Sequence, residues 1–309
     1  MDVAKSERVN EDRACRFRRI AGTGFRLAME VTRGCNLSCK HCFVQPDQNH
    51  PTTNELTDII RQAKHLNCKK LIITGGEPLL RRDLEQIISA ATAQGILVDL
   101  NSNCFNLTRA RVDALKAAGL QETSVSLYGG RSIHDELTGR NGAFDHALRG
   151  IIFFREAGIT VDVHGAIWNS MLPYIRDLVD TVQKHDVSSI TFFSMIPAET
   201  RRDMDENILF PGLALKTIAQ ARACSSIPVR TVGLRQLDKD ECAMGIGIYG
   251  LGADLRLRPC LLSRHRSNEE GIDLHIHSLQ AAMSLLESRI KQGDWCAGCS
   301  PRTEGNPDE

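Results

Sequence analysis

Apolar, strand-like runs that alternate with helix-like stretches are the feature of this chain that most restricts its fold. Such alternation builds parallel βαβ units, in which active groups gather at the carboxyl ends of the strands. Six units are fewer than the eight that close a full barrel, so we predict an α/β fold with a partial (β/α)6 barrel. The six runs are RLAMEVT (26–32), KLIIT (70–74), ILVDLNSN (96–103), TSVSLY (123–128), ITVDVHG (159–165) and SITFFSM (189–195).

The stretches between these runs carry helix signals at both ends. Thr52 and Glu55 form a capping-box pattern, and Thr108 can cap another helix. Gly95 and Gly119 each stand just before a strand-like run, where a left-handed residue commonly ends a helix. After about residue 197 a polar connector leads into a smaller cysteine-bearing region. We therefore expect an N-terminal arm (1–24), the barrel (25–200) and a C-terminal domain (201–309).

Charge and the N-terminal sequence restrict the partners and the location of the protein. The 309 residues include 38 basic and 38 acidic residues, so the formal net charge of zero argues against nucleic acid or an anionic membrane as an obligatory partner. No apolar run approaches membrane-spanning length, and residues 1–20 lack the apolar core of a secretory signal. We expect a cytoplasmic protein, in which the eleven cysteines stay reduced and clustered thiols indicate a metal site.

Three cysteines in CNLSCKHC (35–42) follow directly after the first strand, on the expected catalytic edge. Cys35, Cys39 and Cys42 have the spacing C-x3-C-x2-C, and the next cysteine is Cys68. Three thiolates can hold a 4Fe–4S cluster by three irons and leave the fourth iron open to a ligand that is not protein. The alternative is a structural zinc site completed by His41 or by a remote residue.

A second set of four cysteines lies near the C-terminus: Cys242, Cys260, Cys296 and Cys299. The residues between the first two, AMGIGIYGLGADLRLRP (243–259), predict a β-hairpin with a Gly-Ala-Asp turn, and we expect a helix from about 277 to 291. Four cysteines can fully ligate an auxiliary 4Fe–4S cluster. A hairpin followed by CxxC is also zinc-ribbon geometry, which is the alternative.

The motif CNLSCKHC, the turn GGEP (75–78) and the stretch SVSLYG (124–129) together resemble the radical S-adenosylmethionine (radical SAM) superfamily. The resemblance runs from about residue 26 to the end of the chain. It implies that S-adenosylmethionine binds the open iron, and that an electron from the cluster releases a 5′-deoxyadenosyl radical that abstracts hydrogen from a substrate. It also implies an electron donor of the flavodoxin or ferredoxin type.

The same resemblance assigns candidate cofactor-binding residues. The turn Gly75–Pro78 matches the motif that holds the methionine amino group. Its two glycines allow close approach of backbone to a ligand, and the Glu77 carboxylate adds a hydrogen-bond acceptor for the ammonium group. Ser126 matches a serine that contacts the methionyl or ribose part of the cofactor, with a buried polar strand end as the alternative. The full set of candidates is Gly75, Gly76, Glu77, Pro78, Ser102, Asn103, Ser126, Arg140 and His41.

The C-terminal cysteines resemble the Twitch domain, the short form of the SPASM domain that follows the barrel in one branch of the superfamily. A full SPASM domain needs further cysteines for a second auxiliary cluster, and only ten residues follow Cys299. The resemblance therefore implies two 4Fe–4S clusters in all, one that binds S-adenosylmethionine and one auxiliary cluster.

Cys104 stands at the end of the third strand, where the family often has the glycine of Thr-Asn-Gly. We expect it to be a packing residue. The alternative is a catalytic hydrogen-atom donor, which an epimerase requires on the face opposite the radical.

The resemblance leaves two substrate classes open. We expect a dehydrogenase rather than an epimerase, acting on a carbinol carbon of a small aminocyclitol or sugar-type metabolite, because one fully ligated auxiliary cluster can accept the electron of the substrate radical. The alternative substrate is a ribosomally made peptide, but the roughly 25 residues before the first strand are too few for a leader-binding domain. The alternative of another class is a non-catalytic iron–sulfur or zinc scaffold, which requires neither the open iron nor GGEP.

Overall fold

The computed structural model describes residues 24–42, 44, 50–194, 211–232, 247–261 and 271–292. The strands of this part of the chain are β1 (Phe25–Thr32), β2 (Cys68–Gly75), β3 (Leu97–Ser102), β4 (Glu122–Ser126), β5 (Thr160–Ile167), β6 (Ser189–Ser194), β7 (Val229–Val232), β8 (Ile248–Leu251), β9 (Arg256–Arg258) and β10 (Ile272–Asp273). They form one sheet in the order β10-β9-β8-β1-β2-β3-β4-β5-β6-β7. The pairing from β8 to β7 is parallel throughout, which confirms the predicted α/β fold with a partial parallel barrel.

All six predicted strands are present, and their observed ends lie within two residues of the predicted ones wherever the structure describes them. One further parallel strand, β7, was not predicted and pairs with β6. Its four residues, VRTV, alternate between buried and exposed positions. Because that run is so short, its place in the sheet depends on pairing with β6 rather than on a distinctive local pattern.

The helices among the described residues are α1 (Thr53–His65), α2 (Leu84–Thr92), α3 (Arg109–Ala117), α4 (Arg131–Thr138), α5 (Ala143–Glu156), α6 (Ile175–Val182), α7 (Pro211–Ala223) and α8 (Leu279–Gln292). The capping box at the start of α1 is confirmed. The Thr52 hydroxyl accepts a hydrogen bond from the backbone N–H of Glu55, and the Glu55 carboxylate accepts one from the backbone N–H of Thr52 at 2.7 Å. In the described part of the chain, no helix has both the length and the apolar character to cross a membrane.

The two faces of the sheet differ in chemistry. Leu27 and Met29 of β1 are fully buried and belong to the main hydrophobic core, which also contains the apolar faces of the helices. On the opposite, inner face the amino ends of the strands are charged: the Lys70 ammonium lies 2.8 Å from the Asp99 carboxylate and 2.5 Å from that of Glu122. The helices therefore cover the outer face, and the polar inner face is left to line the barrel.

The predicted C-terminal hairpin is confirmed as β8 and β9, joined by a turn at 252–255. The predicted helix is also present, as α8. Strand β8 pairs in parallel with β1, so that Ala28 is opposite Gly250 and Met29 is opposite Leu251. Residues on either side of the expected domain boundary at 200–201 thus share one sheet, while the boundary itself stays a prediction.

Candidate functional site

The cysteine loop (residues 33–42) leaves the carboxyl end of β1 and lies against the end of α4. The backbone N–H of Ser38 donates to the Thr138 carbonyl at 3.0 Å, and that of Lys40 donates to the Leu137 carbonyl at 2.8 Å. The Lys40 ammonium also pairs with the Glu136 carboxylate at 2.7 Å. Helix α4 therefore fixes the position of the loop through its backbone as well as through a surface ion pair.

Cys35, Cys39 and Cys42 are each partly buried, and all three act electrostatically on the hydroxyl of Tyr128. Burial raises the pKa of the Tyr128 hydroxyl, and the negative charge that these three cysteines carry as thiolates raises it further. The described residues contain no set of three His, Cys, Asp or Glu side chains that could share one metal ion. A cubane cluster does not need such a set, because each of its thiolates binds a different iron. Three partly buried cysteines in one ten-residue loop are the donor set that a 4Fe–4S cluster with one open iron uses.

The glycines of the GGEP turn are needed where the turn meets the start of the cysteine loop. A Cβ atom on Gly75 would lie 2.2 Å from the Thr32 carbonyl oxygen, and one on Gly76 would lie 2.2 Å from that of Gly34. The N–H groups of Gly76 and Glu77 donate to these two carbonyls at 2.8 Å. The close approach that these glycines permit is therefore to the protein's own backbone.

The Glu77 carboxylate is buried and surrounded by protein donors. It accepts hydrogen bonds from the Ser102 hydroxyl at 2.9 Å, the Asn103 backbone at 2.8 Å and the Leu79 backbone at 3.0 Å. Burial raises its pKa to about 7, although these three bonds favour the charged form. Pro78, the last residue of the turn, is buried at the start of a short 3₁₀ helix. Glu77 thus ties the turn after β2 to the end of β3.

Asn103 connects the end of β3 to the cysteine loop. Its side-chain amide donates to the Asn36 side chain at 2.9 Å and lies 3.8 Å from the Cys35 sulfur. Its carbonyl oxygen accepts from the Phe105 backbone at 2.8 Å. Sequence reasoning did not select Asn36, although its position between two of the cysteines was a usable signal. Amide groups near a thiolate orient it and influence its potential.

The end of β4 places an aromatic group beside the loop. The Ser126 side chain hydrogen-bonds to Tyr128, and the ring of Tyr128 meets that of His41 edge-on at a centroid distance of 4.3 Å. The Tyr128 backbone N–H donates to His134 Nδ1 at 3.1 Å, and burial lowers the pKa of His134 to about 4. The exposed Arg140 stacks on Phe105 at 4.8 Å from the ring centroid. Tyr128 and His134 were not predicted, but Tyr128 lies inside the SVSLYG motif.

Cys104 lies on the side of β3 that faces the helices. Its side chain is fully buried, and a Cβ on Gly150 of α5 would lie 2.7 Å from the Cys104 sulfur. Burial raises the pKa of its thiol well above the usual range. The backbone has a positive φ of 58°, the conformation for which the family's glycine is suited. This location favours the packing interpretation.

Two partly exposed rings line the inner face near the carboxyl ends of β5 and β6. The rings of His164 and Phe193 meet at a centroid distance of 4.8 Å and an angle of 66°. His164 is opposite Ser126 in the sheet register, so the rings neighbour the candidate cofactor residue on β4. The inner face of the sheet therefore presents two ring surfaces next to Ser126 on the neighbouring strand.

Of the four C-terminal cysteines, the structure describes only Cys260, which is partly buried. Cys242, Cys296 and Cys299 lie outside the described residues. The backbone at Cys260 and Leu261 crosses Gly250 so closely that a Cβ there would lie 2.5 Å from the Leu261 nitrogen. Cys260 is thus attached to the β8–β9 hairpin, and its role as a cluster ligand stays a prediction.

The sequence of this chain is similar to those of proteins named for heme and porphyrin synthesis. An AdoMet-dependent heme synthase of Oleidesulfovibrio alaskensis is 32% identical over 176 residues, which are 55% of this chain and 45% of that protein. A Fe-coproporphyrin III synthase of Methanosarcina barkeri is 31% identical over 176 residues, 56% of this chain and 44% of that protein. The chain spans about half the length of the curated relatives it matches.

The fold is similar to that of Streptococcus suis SuiB bound to its precursor peptide SuiA. The TM-score is 0.74 at 15% sequence identity, over 93% of this chain and 71% of that one. The radical SAM superfamily profile matches residues 29–173, which contain the cysteine triad, the GGEP turn and Ser126. Residues 29–173 of this chain therefore belong to the radical SAM superfamily.

Proposed function

We propose that this protein is a radical SAM enzyme that modifies a tetrapyrrole. The observation that carries the proposal is the pair of partly exposed rings, His164 and Phe193, on the inner face next to Ser126. A planar macrocycle can stack on the face of one of these rings and meet the edge of the other, because the two rings are inclined at 66°. The names of the heme and Fe-coproporphyrin III synthases agree with this substrate class.

The residues of the site have separable roles in this proposal. Cys35, Cys39 and Cys42 hold the 4Fe–4S cluster, which with bound S-adenosylmethionine supplies a 5′-deoxyadenosyl radical for hydrogen abstraction. Asn103 orients Cys35 through its amide, 3.8 Å from the sulfur. Ser126 lies at the end of β4, where it can contact the cofactor. Arg140 is a candidate for the methionine carboxylate, since its stacking on Phe105 holds it close to the apolar side of the cysteine loop.

An auxiliary 4Fe–4S cluster on the C-terminal cysteines belongs to the same proposal. Cys260 lies at the end of a hairpin, as expected from the Twitch resemblance, and Cys242, Cys296 and Cys299 complete the set. Such a cluster can accept the electron left on the substrate after hydrogen abstraction. A flavodoxin- or ferredoxin-type protein would supply the electron that starts the reaction.

Two other substrates are weaker candidates. The sequence led us to expect oxidation of an aminocyclitol carbinol. We place the tetrapyrrole ahead of that substrate because the relatives described above carry heme and porphyrin names. A peptide substrate is supported by SuiB, whose structure contains the peptide SuiA. That likeness is one of fold at 15% identity, so it supports the peptide less strongly.

The test uses the anaerobically reconstituted enzyme with S-adenosylmethionine, dithionite and iron-coproporphyrin III. We expect tetrapyrrole-dependent formation of 5′-deoxyadenosine and a change in tetrapyrrole mass. Phe193→Ala should weaken tetrapyrrole binding, measured from its absorption band. Phe153→Ala is the matched control. Phe153 belongs to helix α5 in the outer layer, where the guanidinium of Arg109 lies over its ring, so its loss should not change tetrapyrrole binding. If S-adenosylmethionine is cleaved but the tetrapyrrole neither binds nor changes, the substrate assignment is wrong and the superfamily assignment stands.

A further inference from the structure

The turn of the C-terminal hairpin reaches the first residue of the cysteine loop. Asp254, between β8 and β9, lies 3.1 Å from the Arg33 guanidinium. Arg33 is two residues before Cys35 and directly follows β1. Both side chains are largely shielded, with 21% and 29% of their surfaces exposed. This ion pair joins segments more than two hundred residues apart in the chain.

Asp254 is held in place by a second arginine. Arg258 is 4% exposed, and its guanidinium donates to both carboxylate oxygens of Asp254 at 2.9 and 2.8 Å. Burial raises the pKa of Asp254, but the hydrogen bonds and charge of Arg258, with a smaller effect of Arg33, lower it to about 2. A Cβ on Gly252 would lie 2.3 Å from the Asp254 carboxylate, so only glycine leaves room for this pair. The carboxylate is therefore pre-organised toward Arg33.

The hairpin and the cysteine loop both adjoin strand β1: β8 of the hairpin pairs with it, and the loop follows its carboxyl end. Strand β8 is paired with β1 as far as Met29, and the buried Glu30 then accepts a hydrogen bond from the Ala253 backbone at 3.3 Å. Directly after β1, the Arg33 side chain also contacts the hairpin, through its ion pair with Asp254. A series of contacts thus runs along β1 into the cysteine loop.

We propose that Asp254 is a positioning residue for the cysteine loop, acting through Arg33 to fix the loop's amino end. The placement of Cys35 then depends on the hairpin that carries Cys260. The proposal rests on the cysteine triad as the cluster-binding motif of the superfamily. It depends neither on the tetrapyrrole substrate nor on an auxiliary cluster.

Hydrogen exchange in the full-length chain before reconstitution tests the proposal without any cluster. The reporters are the amides of Ser38, Lys40 and Cys42, which are hydrogen-bonded in the structure. Asp254→Asn and Arg33→Gln should each accelerate their exchange, by up to about fivefold, the scale of a partly exposed ion pair. The double variant should exchange no faster than Asp254→Asn. The matched control is Asp273→Asn, which removes the Arg256–Asp273 pair of 3.2 Å between β9 and β10 and should leave these amides unchanged.

S-adenosylmethionine binding to the reconstituted enzyme gives the second readout. Arg33→Gln should weaken binding by a similar factor, and Arg33→Lys should restore it, because the lysine keeps the charge. If Asp254→Asn changes the exchange and Arg33→Gln does not, Asp254 acts only within the hairpin and the proposal is wrong. Equal effects of Asp273→Asn would likewise overturn it, since they would show a general loss of hairpin stability. A wild-type enzyme that binds no S-adenosylmethionine would contradict the superfamily function but would leave the exchange test intact.

Discussion

The Glu77 carboxylate lies 2.9 Å from the hydroxyl of Ser102, so the GGEP turn holds the end of the neighbouring strand. One carboxylate oxygen also accepts from Leu79 and the other from Asn103. The sequence interpretation gave Glu77 to the methionine ammonium group. The observed bonds give it a structural task as well, because they set the distance between the ends of β2 and β3.

Glu77→Gln should therefore destabilise the folded protein. A carboxamide offers one acceptor oxygen where Glu77 uses two, which leaves a buried donor without a partner and costs about 1–3 kcal/mol. Urea unfolding of the protein before reconstitution measures this loss. Glu136→Gln is the control, because Glu136 forms an exposed pair with Lys40 and its loss should cost less than about 1 kcal/mol. An unchanged stability with weakened S-adenosylmethionine binding would show that the carboxylate serves the ligand alone.

Gly76→Ala should disturb the contact between the GGEP turn and the cysteine loop. Its methyl group would lie 2.2 Å from the Gly34 carbonyl oxygen, so one of the two backbone segments must move. We expect a loss of about 1–3 kcal/mol in the free energy of unfolding, as for other overpacked sites. Gly212→Ala is the control, since nothing lies within 4 Å of a Cβ there. Equal stabilities of the two variants would show that the turn has room to adjust.

The features that sequence predicted best are those encoded by neighbouring residues. The six strands, the capping box at Thr52 and the hairpin at 248–258 each follow from a periodicity or a turn within a few residues. The partners of Glu77 are 25 and 26 residues away, and Asp254 is more than two hundred residues from Arg33. Such contacts depend on which strands become neighbours and on side-chain packing, which local pattern does not encode. The cysteine triad was predictable because its spacing is itself local.

Metal content tests the assignment of the two cysteine groups. After anaerobic reconstitution we expect about eight irons and eight sulfides per chain. The triple variant with alanine at Cys35, Cys39 and Cys42 should keep about four irons and should not cleave S-adenosylmethionine. Iron and sulfide analysis, together with the 5′-deoxyadenosine assay, measures both effects. Zinc at the C-terminal cysteines of anaerobically purified protein would contradict the auxiliary cluster.

The Arg81–Asp83 pair should make stability depend on pH. Arg81 is 6% exposed, donates to the Val31 and Pro51 carbonyls at 2.8 Å, and its hydrogen bonds lower the pKa of Asp83 to about 2. A lowered pKa adds stability above the unfolded value, about 3.9, and that stability is lost as pH falls toward 2.

Asp83→Asn should therefore be less stable than wild type between pH 7 and about pH 4, and the difference should shrink between about pH 4 and pH 2. Urea unfolding at pH 7, 5, 4 and 3 measures this difference. Asp58→Asn, which breaks an exposed pair with Arg61 on α1, should change stability by less than about 1 kcal/mol at neutral pH. A difference for Asp83→Asn that is the same at pH 3 as at pH 7 would show that the charge of Asp83 does not contribute.

Cys104→Ala separates the packing role of this thiol from hydrogen donation. Cys104 is fully buried and lies against Gly150, so the variant should lose about 1 kcal/mol of stability and form the same product at a similar rate. Cys68→Ala is the matched control, because Cys68 is 2% exposed in the core of β2 and its thiol is equally removed from solvent. Both variants should behave alike in urea unfolding and in turnover. Incorporation of solvent deuterium into the product by the wild type and by Cys68→Ala, but not by Cys104→Ala, would instead identify Cys104 as the hydrogen donor. Because the thiol faces the helix layer and not the inner face of the sheet, we expect no such incorporation.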